Sequence, residues 1–368
     1  MGIGRFSDGL APTPPMGWNS WNRFGAKIDE HLVVETAEAM VESGMRDAGY
    51  RYVVIDDGWM APERDRSGDF VADPDKFPGG IKALADRIHA LRLRFGIYTD
   101  AGTKTCQGLP ASLGYEFRDA RRFAEWGVDY VKVDWCHTNG MGPRALYAKR
   151  ALALRAAGRP IVFSICEWGR SQPWEWAGEI GHLWRTTGDI LPDWSSILTI
   201  LDRQSELSSF AGPDHWNDPD MLEVGNGALT PDQSRAHFAL WSMLAAPLMA
   251  GNDLRTMTDE VREILTAPEI VALDQDPGGR QGRRIRRDGD IDVWARALAK
   301  EGRIAIALLN RGTVAREVRI PVAEIGVEPR THVRVRDLWQ RTDVGEARRE
   351  IVAATRANSA TVLGVAPQ

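Results

Sequence analysis

Lys132 and Asp134 stand two residues apart in Val131-Lys132-Val133-Asp134-Trp135-Cys136, an apolar, β-branched run. If the run is a strand, both side chains leave the same face. A buried amine beside a buried carboxylate is either a structural ion pair or a site, because buried charges persist only when paired or used. Repetition favours the site. Similar runs end at Trp18 and Trp21; at Asp56, Asp57 and Trp59; at Tyr98 and Asp100; at Cys166, Glu167 and Trp168; at Arg185 and Asp189; and at Asp218, Asp220 and Met221. The set is rich in carboxylates and tryptophans, and it holds no Ser–His pair and no cluster of three histidines. Carboxylates accept hydrogen bonds from hydroxyls, Lys and Arg donate them, and Trp offers a flat apolar wall with a polar N–H. That is the chemistry of a sugar site.

Glycoside hydrolysis needs two carboxyl groups flanking the scissile bond, one protonated to help the leaving group and one ionised to attack or to activate water. Asp134 and Asp189 are the best pair. Lys132 should hold Asp134 ionised, as suits a nucleophile. Asp189, in Arg185-Thr186-Thr187-Gly188-Asp189-Ile190, is expected in irregular backbone where partial desolvation would keep its proton, although Arg185 acts in the opposite sense. Any one of these aspartates is alternatively a helix cap.

These residues need a scaffold that gathers strand ends. Strand-like runs are expected at 16–21, 52–57, 95–100, 130–136, 161–168 and 182–189, with weaker ones near 216–221 and 247–253. Segments of helical period lie between them, among them 31–48, 80–93, 117–126, 144–157 and 231–244. Eight strand–helix units in about 275 residues fit a (β/α)8 barrel, an α/β fold whose active site lies at the C-terminal ends of its strands. No GxGxxG follows the first strand, which argues against a dinucleotide fold. After Gln275-Asp276-Pro277-Gly278-Gly279 the pattern changes to short alternating runs at 291–297, 304–310, 317–321, 333–338 and 361–365. The chain therefore divides into a catalytic barrel over 1–278 and a C-terminal antiparallel β-sandwich over 279–368.

Composition narrows the function further. The 368 residues are 43% hydrophobic and 26% charged with a formal net charge of −5, and no apolar run is long enough to span a bilayer. Neither nucleic acid nor membrane is expected as a partner, and the local run Arg283, Arg284, Arg286 and Arg287 is read as a solvated strand face. Met1 to Pro15 lacks the apolar core of a secretory signal, so the expectation is a cytoplasmic chain or one whose signal has been removed. Three cysteines make no disulfide scaffold and no zinc spacing, and His137 has no companion ligands, so neither metal nor cofactor is expected.

The motifs Pro15-Met16-Gly17-Trp18-Asn19-Ser20-Trp21, Ile55-Asp56-Asp57-Gly58-Trp59, Gly96 to Gly102, Val131 to Cys136, Ser164 to Gly169, Arg185 to Ile190 and Trp216 to Met221, in this order, closely resemble glycoside hydrolase family 27. That family holds α-galactosidases and α-N-acetylgalactosaminidases, and the plant-type α-galactosidases are the nearest pattern. The resemblance implies a retaining exo-α-galactosidase acting on an α-galactoside oligosaccharide or glycoconjugate, with Asp134 as nucleophile and Asp189 as acid/base. It implies that Asp56 and Asp57 hold the O4 and O6 side of galactose, Lys132 and Arg185 other ring hydroxyls, and Trp21 the apolar face. Tyr98, Cys106, Asp220 and Met221 match further pocket positions. Cys106 and Cys136 match a family disulfide beside the site, which leaves Cys166 free. Strand alternation then directs Cys166 and Trp168, rather than Glu167, toward the sugar's 2-position.

This chain departs from the family pattern at Ala26 and Gly58, where a second disulfide is often found, and at Trp135, where a smaller or polar residue is common. Some bacterial members cleave β-L-arabinopyranosides, but the intact Asp56-Asp57 pair favours galactose. Cys166 and Trp168 leave little room for an acetamido group. A non-catalytic glycan-binding barrel would be expected to lack Asp134 or Asp189, and both are present.

Overall fold

The computed structural model describes residues 7–328 and 331–368. Eight short strands, β1 (Met16–Asn19), β2 (Tyr52–Ile55), β3 (Arg94–Asp100), β4 (Tyr130–Asp134), β5 (Val162–Ile165), β6 (Leu183–Arg185), β7 (Trp216–Asp218) and β8 (Leu248–Ala250), form one sheet. Each pairs in parallel with its sequence neighbour from β1 to β7, and β1 also pairs in parallel with β8. Parallel strands covered by helices are buried on both faces, which is why these runs are continuously apolar rather than alternating. The curl closes just beyond the end of β7, where Leu222 bridges Ala250 in parallel and its N–H donates to the Met249 carbonyl at 2.8 Å. The architecture is the expected barrel.

The strands are shorter than the motifs that announced them. β1 stops at Asn19, and Trp21 instead opens a short helix, Trp21–Phe24. β5 stops at Ile165, so strand alternation does not extend to Cys166, Glu167 and Trp168. The helix expected over 31–48 is two helices, Glu30–Glu42 and Met45–Ala48, separated at Gly44, whose φ of 83° belongs to the left-handed region that glycine adopts without steric cost.

A second body follows the barrel. Strands β9 (Arg283–Asp288), β10 (Ile291–Ala297), β11 (Ile304–Asn310), β12 (Arg316–Pro321), β13 (Val333–Asp337), β14 (Thr342–Ala347), β15 (Glu350–Thr355) and β16 (Ser359–Pro367) make a six-stranded sheet, ordered β14-β13-β16-β11-β10-β9, and a two-stranded sheet of β12 and β15. All pairings are antiparallel. Alternation along the central strands does two jobs. Ile306, Leu308, Val293 and Leu363 pack with Val318, Ile320 and Ile351 of the small sheet. Trp294, Ala305, Ala307, Leu309 and Val362 face the other way and join the barrel core. The helix Pro231–Met243 lies between barrel and sheet and is buried around its circumference, its N-terminus closed by a capping box from Thr230 and Gln233.

The arginine run read as a solvated face is strand β9, and part of it is an interdomain clasp. Asp202, on the helix Trp194–Gln204, accepts from Arg284 and Arg311, each at 2.5 Å. Arg311 also meets Asp292 at 2.5 Å, and Asp292 is fully buried. Removing one partner of a buried pair strands the other charge. Arg311→Leu should therefore cost about 2–4 kcal/mol, the remaining Arg284 and Arg287 standing 3.7 and 3.4 Å from Asp292 and compensating only in part. Urea unfolding at neutral pH measures the loss, and an unchanged midpoint would show that the clasp contributes nothing.

Candidate active site

The C-terminal strand ends converge on a cavity of about 430 Å³, counted out to its open mouth. Trp21, Asp56, Asp57, Tyr98, Cys106, Lys132, Asp134, Trp168, Arg185, Asp189, Asp220 and Met221 line it, together with Asn22. Sequence reasoning had not singled out Asn22. It enters because Trp21 and Asn22 share one turn of helix above β1, and Glu223 fixes it by accepting from Nδ2 at 2.6 Å. Roomier clefts lie elsewhere, among them one around Arg155, Arg159 and Phe163 and one between Glu269 and Arg334, but none of these gathers the strand-end aspartates.

Two cations organise the carboxylates. Lys132 Nζ pairs with Asp56 at 2.8 Å rather than with its strand neighbour Asp134. Asp56 is further held by the bonds it accepts from Asn19 Nδ2 at 2.8 Å and from the Asp57 N–H at 2.9 Å. Arg185 bridges Asp189 at 3.0 Å and Asp220 at 2.9 Å. Asp220 is held at a φ of 85°, a conformation unusual for a non-glycine residue, and it accepts from the Ile190 N–H at 2.8 Å. Asp220 thus pins the loop carrying Asp189 through both Arg185 and Ile190.

The carboxylates differ in what surrounds them. Burial pushes Asp57 up to about 6, partly opposed by the hydrogen bond from the Gln107 N–H; its Oδ1 has no partner among the described residues. Burial also pushes Asp134 up to about 6, against the pull of Lys132 and with Asp56 adding to the rise. Among the described residues it accepts one bond, from the Trp135 N–H at 3.0 Å. Asp189 behaves oppositely to the sequence expectation. Its side chain is 62% exposed at the cavity mouth; burial, the largest single effect, raises its carboxyl, but the charges of Arg185 and Lys132 and the Arg185 hydrogen bond together outweigh it and hold it below the ordinary value. In the empty site the proton therefore resides more readily on Asp134 than on Asp189.

Other strand-end acids serve the backbone. Asp100 is fully buried and accepts from the N–H groups of Gly102 and Cys136, at 2.7 and 2.8 Å, tying the loops after β3 and β4 together. Cys106 and Cys136 are disulfide-bonded with Cα atoms 5.2 Å apart, and Gly102 is required beside them because a Cβ there would collide with the Cys136 carbonyl. Asp100, Cys106 and Cys136 lie close together, but both sulfurs are committed to each other, so the group offers no thiolate to a metal.

Cys166 sits behind the wall rather than on it. It is buried, does not line the cavity, and its Sγ receives Arg185 Nη1 at 3.7 Å. Trp168 does reach the cavity, at a φ of 59° that a regular strand would not give. Glu167 is turned away and accepts from the Ser171 N–H and hydroxyl at 2.8 and 2.9 Å.

Comparison with known proteins gives the family. Residues 13–276 match the family described as alpha galactosidase A, and residues 288–364 match the alpha galactosidase C-terminal beta sandwich domain. The chain is 51% identical to alpha-galactosidase A of Cellvibrio japonicus, across 84% of this chain and 79% of that one. It is 47% identical to alpha-galactosidase 2 of Arabidopsis thaliana, across 94% and 88%. Among solved structures, alpha-galactosidase I from Mortierella vinacea superimposes with a TM-score of 0.95 at 37% identity, covering 98% of each chain.

The buried charge on Asp134 has a stability consequence. Its carboxyl rises from 3.8 to about 6 on folding, so the folded state favours the neutral form, and stability is lost as pH rises from about 4 through about 6. An amide imitates the neutral form. Asp134→Asn should gain on the parent over that window, reaching on the order of 3 kcal/mol above it. Melting temperatures at pH 4.5 and 7.5 give the check: the variant's advantage grows with pH, and a constant difference would contradict the assigned cause.

Proposed function

The chain is an α-galactosidase of glycoside hydrolase family 27, and we propose that it releases terminal α-D-galactose by a retaining double displacement in which Asp134 is the nucleophile and Asp189 the acid and base. The observation that carries this reading is the pairing of one sunken carboxylate with one exposed carboxylate across the same cavity. A carboxylate oxygen of Asp134 attacks the anomeric carbon and forms an ester while the glycosidic C–O bond breaks. The leaving oxygen takes its proton from Asp189. In the second step Asp189 removes a proton from water, the water oxygen bonds to the anomeric carbon, and the ester to Asp134 breaks.

The polar groups suit galactose. Asp56 and Asp57 both line the cavity, and their carboxyls are the acceptors offered to hydroxyls on the O4 and O6 side. Lys132 and Arg185 serve other ring hydroxyls, and Trp21 covers the apolar face. A β-L-arabinopyranoside lacks the exocyclic hydroxyl and would leave acceptor capacity idle, while an N-acetyl group would meet Trp168. Five carboxyl groups and two cations line the cavity, an excess of negative charge suited to an oxocarbenium-like transition state.

The perturbed carboxyls set the pH dependence. Reaction needs Asp134 ionised and Asp189 protonated, the minority arrangement of the singly protonated pair, because the free enzyme holds Asp134 at about 6 and Asp189 below 3.8. The rate follows the population of that singly protonated state. For an aryl α-galactoside, kcat/KM should peak between about pH 4 and 6 and fall about tenfold per unit at higher pH. The corresponding α-N-acetylgalactosaminide and β-L-arabinopyranoside should be poorer substrates at every pH. A profile that rises through pH 6 to a plateau near pH 8, or a preference for either alternative sugar, would overturn the reading.

A further inference from the structure

We propose that the open cleft beside the catalytic cavity binds the leaving-group sugar and that Trp135 is its platform. The proposal rests on the galactoside reading above, because cleavage in the cavity requires the rest of the substrate to emerge from it. Only an adjoining surface can receive that part. Trp168 lines both spaces, and the neighbouring cleft, about 830 Å³ counted out to solvent, is also lined by Trp135, His137, Asn139 and Arg170. Trp168 is the wall assigned to the sugar's 2-position, and C2 is bonded to C1, so the cleft begins next to the carbon at which the bond breaks.

Trp135 is built to receive a ring. It follows Asp134 directly, so the end of β4 fixes its distance from the reacting carbon. One face is stacked on Tyr147, with ring centroids 5.3 Å apart and planes inclined by 29°. Tyr147 is itself fully buried, and its hydroxyl donates to the carbonyls of Val133 and Asp134, at 3.1 and 3.3 Å. A side chain locked in this way loses little entropy when it binds. The indole N–H makes no hydrogen bond among the described residues, and the ring is only half buried. Arg170 stands over the Trp168 ring at 4.5 Å, its charge also acting on the neighbouring Glu167 carboxyl, and it brings guanidinium donors to the edge of the cleft. His137 and Asn139 are exposed along the rim. A flat apolar surface ringed by donors matches the apolar face and peripheral hydroxyls of a pyranose. The chemical class assigned is therefore an α-linked oligosaccharide whose leaving group is a second sugar ring.

The test compares two substrates that share the galactosyl half. In galactosyl-α-1,6-glucose the leaving group is a pyranose, whereas in α-galactosyl fluoride it is a single atom. Trp135→Ala should lower kcat/KM on the disaccharide about tenfold more than on the fluoride. Trp135→Leu, which refills the space against Tyr147 without a flat ring or an N–H, should show the same selectivity and covers the case in which the alanine variant does not fold. Trp135→Phe should recover most of the disaccharide activity. Equal losses on the two substrates, or no loss on the disaccharide, would overturn the platform. Failure of the parent enzyme to hydrolyse the fluoride would instead overturn the galactoside reading, and the proposal with it.

Discussion

The site depends on one electrostatic constraint: five carboxyl groups share a small cavity with two cations. Full ionisation would leave a formal excess of three negative charges, five less two, in a place largely removed from water. The structure relieves this unevenly. Lys132 neutralises Asp56, Arg185 neutralises Asp220 and reaches Asp189, and the remaining strain falls on Asp57 and Asp134, whose carboxyls rise to about 6. What is unfavourable for the empty protein is useful to a reaction that develops positive charge on a sugar ring.

Holding so many charges in place requires backbone that does not yield. The loops above β3 and β4 are tied by the Cys106–Cys136 bond and by Asp100, whose carboxyl, pushed up to about 8 mainly by burial, spends its acceptors on the N–H groups of Gly102 and Cys136. Those above β5 and β6 meet at Gly169, where a Cβ would collide with the Thr186 carbonyl. Trp168 and Asp220 take left-handed conformations beside the cavity, and the packed surroundings keep them there. The sandwich supports this at a distance by burying one face of the helix Pro231–Met243, which in turn donates Trp241 Nε1 to the Asp220 carbonyl at 2.8 Å. A chain of contacts thus runs from the second body to a pocket residue.

Much of this was legible in the sequence, for a physical reason. A parallel barrel needs near-continuous apolar runs, and carboxylates cannot sit at the ends of such runs without a use, so the eight strands and the converging acids were visible together. The details that escaped depend on local backbone or on distant partners. Trp21 leaves β1 for a helical turn and brings Asn22 with it, which no periodicity announces. Cys166 lies beyond the end of its strand, where alternation no longer governs direction, and it was read as part of the wall it stands behind. The arginines of β9 were legible as a strand face but were read as solvated, because their partners Asp202 and Asp292 are far from one another in sequence. The protonation preference of Asp189 turned on whether Arg185, four residues away, would fold back onto it, and it does.

The central claim, that Asp134 forms the bond to the sugar, is tested most directly by trapping that bond. A fluorinated galactosyl fluoride carries a reactive leaving group, while its ring fluorine slows departure from the enzyme, so a covalent intermediate accumulates if one exists. Digestion and mass spectrometry should find one fluorogalactosyl group on the peptide containing Asp134. A label on the Asp189 peptide, or steady turnover with no adduct at all, would contradict the account.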